Sequence, residues 1–447
     1  MRIKAHKMIT KKIVFFLLLI GFQLSAQSKK WTLEECVDYA IKNNISIKQS
    51  ELDLKTSDID KLEAIGGFLP SLSGNANYSI NTGASINPVT NQFQNQTFKS
   101  FSASANSGVM LFNGLANWKT LQRAKLNKIA NSYRLDKMKD DIALSIANSY
   151  LQILFNKEQL KVQKNQNLIT KENIKRTQEL IDAGSLPAGD IYELQATDAT
   201  QEQQIIATEN TLLIAKIGLC QTLLLEDYAN FDISDEVVDV SMTNFTNVTQ
   251  ESILEKAKES VKDVKIAMAN VDVAKKDVAL SRSSYLPTLT GFLGYNTRWA
   301  ESTPFNFIDQ LTLFDGTAVG LQLSVPILNG FATRGRVQRA KINQERSEFQ
   351  LKQAELDLER NVYQAYNDVI NAKKSFEAAQ KTLEARKQSY DFSKERYEVG
   401  LMNSFDFSQS TLAFENAQSE VLRTKYDYIF RTKILEFYFG IPLVKKQ

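Results

Sequence analysis

Two stretches of the chain repeat the same line of sequence. Residues 107–127 read SGVMLFNGLANWKTLQRAKLN, and residues 323–343 read LSVPILNGFATRGRVQRAKIN. The distance from Asn113 to Asn329, 216 residues, is also the distance from Asp190 to Asp406. Because this period is far longer than the about 20–50 residues of a solenoid repeat, the sequence predicts a tandem duplication of one large structural module.

Residues 1–26 are predicted to be a secretory signal peptide. Five basic residues precede the apolar run IVFFLLLIGF, and Leu24-Ser25-Ala26 is a small-residue cleavage site; a retained membrane anchor is the alternative. Cleavage removes those basic residues and His6, the one histidine, and moves the formal charge from +3 to −2. The mature chain then has no histidine for a catalytic triad or a metal site, and its charge does not indicate nucleic-acid binding.

Cys36 and Cys220 remain in the mature chain. In an exported protein they can form a disulfide, but two buried thiols fit the sequence equally well, because the separation of their Cα atoms is unknown. No run of about 18 apolar residues follows the signal peptide, so no transmembrane helix is predicted.

Four segments alternate apolar and polar residues with a period of two, which predicts β-strands. Their approximate bounds are 70–80, 98–112, 287–299 and 317–328. One face carries small or apolar residues and the other carries serine, asparagine and glutamine, which is typical of a transmembrane β-barrel; a soluble sandwich would need a longer consecutive series of strands. Tyr78, Tyr295 and Trp299 lie near the loop ends of their strands, where aromatic residues mark a membrane interface. Isolated surface aromatics are the alternative.

Each pair of strands is followed by a long helical hairpin, predicted at residues 115–225 and 331–438. Apolar residues recur at alternating intervals of three and four residues from Leu351 to Leu383, which is the pattern of a coiled-coil seam, and the same seam occurs one period earlier. About 70 residues of helix span roughly 100 Å. A glycine then ends the first helix of each hairpin, and Asp190 and Asp406 are predicted to cap the second.

Leu-Pro and Asn-Gly pairs mark the boundaries between helices and strands. Proline pushes the residue before it into an extended conformation, and Asn-Gly favours a turn. The predicted strand–helix hinge residues are Pro70, Asn113, Gly114, Pro287, Pro326, Asn329 and Gly330. The chain therefore divides into the signal peptide, repeat 1, a linker and repeat 2, with bounds 1–26, 27–227, 228–247 and 248–447.

Four strands are too few to close a barrel. Single-chain barrels begin at about eight strands and lipid does not tolerate an open sheet edge, so the chain is expected to share a barrel with copies of itself. Two copies give eight strands and a filled interior, whereas three give twelve and leave a passage. The predicted fold is mainly α with a transmembrane β component, and the predicted assembly is an oligomeric duct that its helical hairpins prolong.

The duplicated order of helix, Leu-Pro, strand, loop, strand, [FL]-N-G and long helix resembles the TolC-like outer-membrane factor family. The most similar motifs are V-P-I-L-N-G at 325–330 and R-Y-x-x-G-L at 396–401; the first half departs from them, with M-L-F-N-G and D-A-G-S-L-P. The resemblance implies a homotrimer in the outer membrane of a Gram-negative bacterium, with a shared β-barrel and a coiled-coil α-barrel in the periplasm. It also implies an exit duct for a tripartite efflux pump or a type I secretion system, served by a periplasmic adaptor and an inner-membrane RND or ABC transporter.

The same resemblance suggests functional residues at the turns of the two hairpins. Residues that match adaptor-docking turns are Gly184, Ser185, Leu186, Gly400, Leu401 and Met402; simple helix C-caps are the alternative for the glycines. Asp406 matches a tip aspartate that faces the channel axis, and Asp190 is its counterpart in repeat 1. A ring of such carboxylates at a constriction attracts cations, whereas a helix cap is the alternative role.

No catalytic residue, cofactor, metal or nucleic-acid partner is predicted. An exported enzyme would need a convergent polar site, and the mature chain offers only scattered carboxylates, lysines and serines. An envelope-spanning structural coiled coil or adhesin without transport activity is the alternative function. It would explain the helical seams but not four strands with clean period-two faces.

Overall fold

The computed structural model describes residues 30–86, 91–235, 249–301 and 303–441. The predicted signal peptide (1–26) and residues 236–247 of the predicted linker lie outside the described residues. The described chain forms two compact units. The strand unit comprises residues 49–136 and 262–356, and the hairpin unit comprises residues 30–48, 137–261 and 357–441.

Long helices make up most of the described chain. The elements in chain order are β1 (Lys30–Trp31), α1 (Leu33–Asn43), α2 (Ile45–Gly66), β2 (Ser71–Ile86), β3 (Phe93–Asn113), α3 (Ala116–Asp182), α4 (Asp190–Leu223), β4 (Asp232–Ile233), α5 (Gln250–Ser260), α6 (Lys262–Ser283), β5 (Thr288–Ala300), α7 (Phe307–Leu313), β6 (Gly316–Ser324), α8 (Ala332–Glu398) and α9 (Ser404–Tyr438). Helices α3 and α8 have 67 residues each. None of the described helices combines the length and the apolar composition that a membrane-spanning helix needs.

The strand unit contains one antiparallel sheet with the order β2-β3-β5-β6. Repeat 1 supplies the first two strands and repeat 2 supplies the last two. Strands β2 and β3 extend beyond the predicted ranges 70–80 and 98–112, because their pairing continues to Ile86 and Phe93. The outer edges of β2 and β6 have no neighbouring strand in the described part of the chain.

Strand β6 is shorter than the predicted range 317–328, which was wrong at its carboxyl end. It ends at Ser324, which pairs with Thr288 at the beginning of β5. The residues that follow therefore have no adjacent strand to pair with, and Pro326 has no N–H for a ladder.

The register separates apolar and polar side chains onto opposite faces of the sheet. On the apolar face Leu289 lies opposite Leu323, and Leu293 lies opposite Val319. The large exposed side chains of this face are Leu72, Tyr78, Ile80, Leu293, Tyr295, Val319, Leu321 and Leu323. The polar face carries Ser73, Asn75, Asn77, Ser102, Ser104, Asn106, Asn296 and Gln322. Two large apolar side chains, Phe292 and Met110, also lie on the polar face, and the Phe292 ring fills the space beside Gly320.

The two predicted Asn-Gly hinges have the same unusual backbone. Gly114 and the leucine after it have φ values of 63° and 65°, and Gly330 and Phe331 have φ values of 57° and 64°. Two successive left-handed residues reverse the chain between strand and helix, a conformation that glycine adopts at low cost. At Gly114 a side chain is also excluded sterically, since a Cβ atom would lie 2.7 Å from the Ser283 carbonyl oxygen.

The hairpin unit has a hydrophobic core that includes the predicted helical seam. Ile146, Ile153 and Val362 are fully buried. Cys36 and Cys220 lie in the same core as Ile146 and Ile153 and are buried thiols rather than a disulfide. Burial raises the pKa of the Cys220 thiol to about 11, so this thiol stays protonated and unreactive.

Candidate functional site

Both hairpin turns begin with the same helix-ending motif. After α3, the Gly184 N–H donates to the Ile181 carbonyl (2.9 Å) and the next N–H donates to the Leu180 carbonyl (2.9 Å). After α8, the Gly400 N–H donates to the Tyr397 carbonyl (3.0 Å), and the next N–H donates to the Arg396 carbonyl (2.8 Å). The two glycines have φ values of 74° and 75°, so both are left-handed C-caps of the Schellman type. The left-handed backbone therefore explains why both repeats have a glycine at this position.

A stack of aromatic rings lies beneath the second turn. Phe407 of α9 stacks on Tyr397 of α8, with 4.6 Å between ring centroids, and also faces Tyr390 at 5.9 Å. The Tyr397 hydroxyl shares a hydrogen bond of 2.9 Å with Thr177 of α3. This cluster, to which Leu194 of α4 also belongs, holds the four hairpin helices together near their turns.

Two of the predicted docking residues pack against this cluster instead of facing solvent. The sequence predicts an exposed Met402 on a solvated turn, but Leu186 and Met402 are both half-buried against the aromatic rings, so that prediction was wrong. Leu401 is 70% exposed, and its neighbours Val399 (69%) and Phe405 are exposed as well. We call Val399, Leu401 and Phe405 the tip surface. Sequence reasoning missed Val399 and Phe405, although Val399 lies within the R-Y-x-x-G-L motif and Phe405 follows it by four residues.

The two predicted gate aspartates occupy different positions in their helices. Asp406 is exposed and is the third residue of α9, where its N–H donates to the Asn403 side chain (2.8 Å) and its carboxylate accepts from the Asn403 amide (3.0 Å). Asn403 is therefore the N-cap, and the prediction that Asp406 caps the helix was wrong. In α4 the cap position is Gly189, which provides no side chain, and Asp190 is the first helical residue.

Asp190 lies close enough to the aromatic cluster to affect it electrostatically. Burial raises the pKa of the Tyr397 hydroxyl, the hydrogen bond with Thr177 opposes that rise, and the charge of Asp190 adds to it. The described contacts do not bring Asp190 and Asp406 together within one chain.

A buried polar network crosses three helices of the hairpin unit. The Asn167 amide of α3 donates to Asp198 of α4 (2.6 Å), and the Gln201 amide of α4 donates to Glu415 of α9 (2.7 Å). Asn167 also reaches Gln201, at 3.4 Å. Burial raises the pKa of Glu415 to about 7, against the opposing hydrogen bond from Gln201. No sequence motif marked this network, because its members come from three separate segments.

The raised pKa of Glu415 predicts that stability falls as the pH rises. The folded protein binds the Glu415 proton more tightly than the unfolded chain, whose pKa is about 4.5. Stability is therefore full below that value and declines through about pH 7, by at most on the order of 3 kcal/mol. Glu415→Gln, which stays neutral and still accepts from Gln201, is expected to raise the melting temperature at pH 8 but not at pH 5.

Thermal melts of the purified protein at the two pH values test this expectation. Glu420→Gln is the control, because Arg423 lowers the pKa of the exposed Glu420 carboxyl, and no gain at pH 8 is expected. An equal change for Glu415→Gln at both pH values would contradict a protonated Glu415.

The polar face of the sheet borders an open cavity of about 640 Å³. Its polar lining side chains are Asn75, Asn77, Ser102, Ser104, Asn296, Thr297, Arg298 and Asp315. The hydroxyl and amide groups among them can exchange hydrogen bonds with water. Across the described residues, no group of three or more His, Cys, Asp or Glu side chains is placed to hold a metal ion.

Comparisons with known proteins agree with this architecture. A family model described as "Outer membrane efflux protein" matches residues 36–223 and 253–439, one match in each repeat. The chain is 24% identical to the proteases secretion protein PrtF of Dickeya chrysanthemi over 71% of this chain and 67% of PrtF. It is 23% identical to the outer membrane protein TolC of Escherichia coli strain K12, over 92% of this chain and 83% of TolC. The solved structure of CusC superposes with a TM-score of 0.79 at 14% identity, covering 91% of both chains.

Proposed function

The chain belongs to the outer membrane efflux protein family, and from that membership we propose that it is the exit duct of an export system. It resides in the outer membrane and passively carries substrates from the periplasmic side to the exterior. Family members are channel proteins, and the chain is accordingly a transport protein and not an enzyme.

One observation of the structure supports the duct: a sheet with one apolar face, one polar face and two open edges. In lipid each unpaired backbone group costs several kcal/mol, so the edges of β2 and β6 have to be paired. Pairing β6 of one copy with β2 of the next satisfies both edges. Three copies give twelve strands with the apolar face toward lipid and the polar face around a water-filled passage. We propose this homotrimer.

The partners follow from the same proposal. A periplasmic adaptor docks on the tip surface, and an inner-membrane transporter of the RND or ABC type supplies the energy. Relatives named for protease secretion make a type I secretion system one candidate, with a protein as the cargo. Deleting the gene in its host is expected to abolish release of that cargo into the medium, and the wild-type chain is expected to restore it. Normal release from the deletion strain would contradict the duct.

Asp406 is the residue proposed to line the periplasmic entrance. In a trimer its three exposed carboxylates form a ring, which favours cations over anions. Asp406→Asn removes the charge and leaves the Asn403 cap in place, so the loss of stability is expected to stay within about 0.3–1 kcal/mol. Cation selectivity in planar lipid bilayers is expected to fall.

Asn403→Ala is the matched control for the gate. It removes the helix cap, at a cost of about 0.5–2 kcal/mol, but keeps the carboxylate ring, so selectivity is expected to stay near the wild-type value. If Asp406→Asn channels select cations as strongly as wild-type channels, the gate lies elsewhere. Asp190→Asn, tested in parallel, reports whether the half-buried aspartate of repeat 1 contributes.

A further inference from the structure

The connection between β5 and β6 contains a short helix, α7. The described part of the connection between β2 and β3, in repeat 1, contains no helix. In repeat 1, β2 and β3 continue their pairing to Ile86 and Phe93. In repeat 2, β5 runs to Ala300, but β6 begins at Gly316, opposite Asn296. The last residues of β5 therefore extend beyond β6, and helix α7 lies beside them.

A buried glutamine fixes α7 to this exposed edge of β5. The Gln310 side chain accepts a hydrogen bond from the Ala300 N–H (2.9 Å) and donates to the Ala300 carbonyl (3.1 Å), as a neighbouring strand would. It also donates to the Phe305 carbonyl (2.6 Å), and the Thr297 hydroxyl donates to the Leu311 carbonyl (2.7 Å). Gln310 is 0% exposed. Helix α7 is thus held in one position on the sheet.

This position continues the apolar face of the sheet. Phe307 of α7 contacts Phe101 at 5.5 Å and Trp299 at 5.6 Å between ring centroids. Phe101 is paired with Trp299 on one side and with Tyr78 on the other. Tyr78 and Trp299 thus lie in one row, as expected of an aromatic girdle, whereas Tyr295 lies four residues further into the sheet. Phe307 extends the row by one ring.

A charged pair lies directly beyond the aromatic row. Lys99 lies two residues before Phe101 in β3, and Glu301 lies two residues after Trp299, directly beyond the end of β5. Their side chains form an ion pair of 3.0 Å. An apolar face, then a row of aromatic rings, then charged side chains is the order found where a membrane barrel passes from hydrocarbon to water. The aromatic row therefore marks the level of the lipid headgroups.

Helix α7 presents a further apolar side chain at this level. At about 100° of rotation per residue, Phe307, Ile308 and Leu311 fall within one apolar sector, and Asp309 lies on the far side of the helix from it. Ile308 is 66% exposed within this sector, and Leu313, outside it, is 57% exposed. A side chain of this kind, next to rings that face lipid, is the arrangement of an interfacial helix.

We propose that α7 is a membrane-interface helix, with Phe307 and Ile308 seated among the lipid headgroups of the outer leaflet. Its role is to fix the depth of repeat 2 in the membrane, where β6 is too short to do so. This inference rests on the proposed function, since the apolar face of the sheet must contact lipid. It goes beyond that function because the duct requires no helix at the membrane surface.

Site-directed nitroxide labels test the position of α7 separately from the existence of the barrel. Ile308→Cys, Asp309→Cys, Leu321→Cys and Gln322→Cys are made singly in the full-length protein and reconstituted into vesicles of phosphatidylethanolamine and phosphatidylglycerol. The native thiols Cys36 and Cys220 are fully buried and do not compete for the label. Collision rates with oxygen, which concentrates in lipid, and with a water-soluble nickel chelate are then compared.

The label at Ile308 is expected to collide with oxygen at least several-fold more, relative to the nickel chelate, than the label at Asp309, which lies on the far side of the helix. Its depth should lie near the headgroups, and the Leu321 label should lie deeper. If the Leu321 label is lipid-exposed but the Ile308 and Asp309 labels are equally accessible to nickel, the inference about α7 is overturned and the duct stands. If the Leu321 label is as accessible to nickel as the Gln322 label, the barrel itself is contradicted.

Discussion

Leu321→Arg is expected to remove most of the assembled protein from the outer membrane. Leu321 is 68% exposed on the apolar face and lies opposite Gly291 in the middle of the β5–β6 pair. An arginine near the bilayer midplane costs about 2–4 kcal/mol in a transmembrane barrel. In a trimer this cost applies three times, so we expect the variant chains to fail to assemble into the barrel. The measurement is the amount of heat-modifiable oligomer in outer-membrane fractions.

Gln322→Arg is the matched control, because this neighbouring residue lies on the polar face of the same strand. The added charge then faces water, and a near-normal amount of oligomer is expected. Equal loss with both variants would mean that the two faces of β6 have the same surroundings. That result would exclude a barrel wall at this strand.

The double variant Val399→Ser and Leu401→Ser is expected to abolish export while leaving assembly intact. Both side chains are mostly exposed in the single chain, and large apolar side chains gathered on a solvated turn favour a protein partner. The backbone of the turn is held by Gly400 and its two hydrogen bonds, which neither substitution removes. Export is measured as cargo in the medium, and docking as cross-linking of the adaptor to the turn.

Met402→Ser separates docking from stability at the same turn. Met402 packs inward against the aromatic cluster, so its loss is expected to lower the melting temperature, and export should fall only as far as the protein level falls. If the double variant assembles in normal amounts and exports normally, the adaptor does not bind Val399 and Leu401.

Local patterns in the sequence predicted the elements that local physics determines. Alternation of apolar and polar residues with a period of two predicted all four strands of the sheet, because the two faces of the sheet differ in polarity. The seam predicted the buried faces of α3 and α8. The duplicated Asn-Gly pairs indicated the hinges, and Gly114 and Gly330 adopt the left-handed backbone that favours glycine.

Features that depend on contacts between distant residues were missed. The end of β6 depends on where β5 begins. The N-cap of α9 is a local exception, because Asn403 lies three residues before Asp406 and accepts the Asp406 N–H. Nothing in the sequence around Glu415 indicates that its carboxyl group is buried, because its hydrogen-bond donor, Gln201, lies on another helix. Gln310 lies between two predicted strands, and its hydrogen bonds to the backbone of Ala300, in place of a neighbouring strand, have no local signature in the sequence.

Several copies of this chain are proposed to pair their sheet edges and form one duct. Native mass spectrometry of the full protein, extracted from outer membranes in mild detergent, measures the number of copies. We expect one dominant species with three times the mass of the mature chain, cleaved after Ala26. A stable monomer in the same detergent would contradict it, because a four-stranded sheet with two unpaired edges would then persist alone.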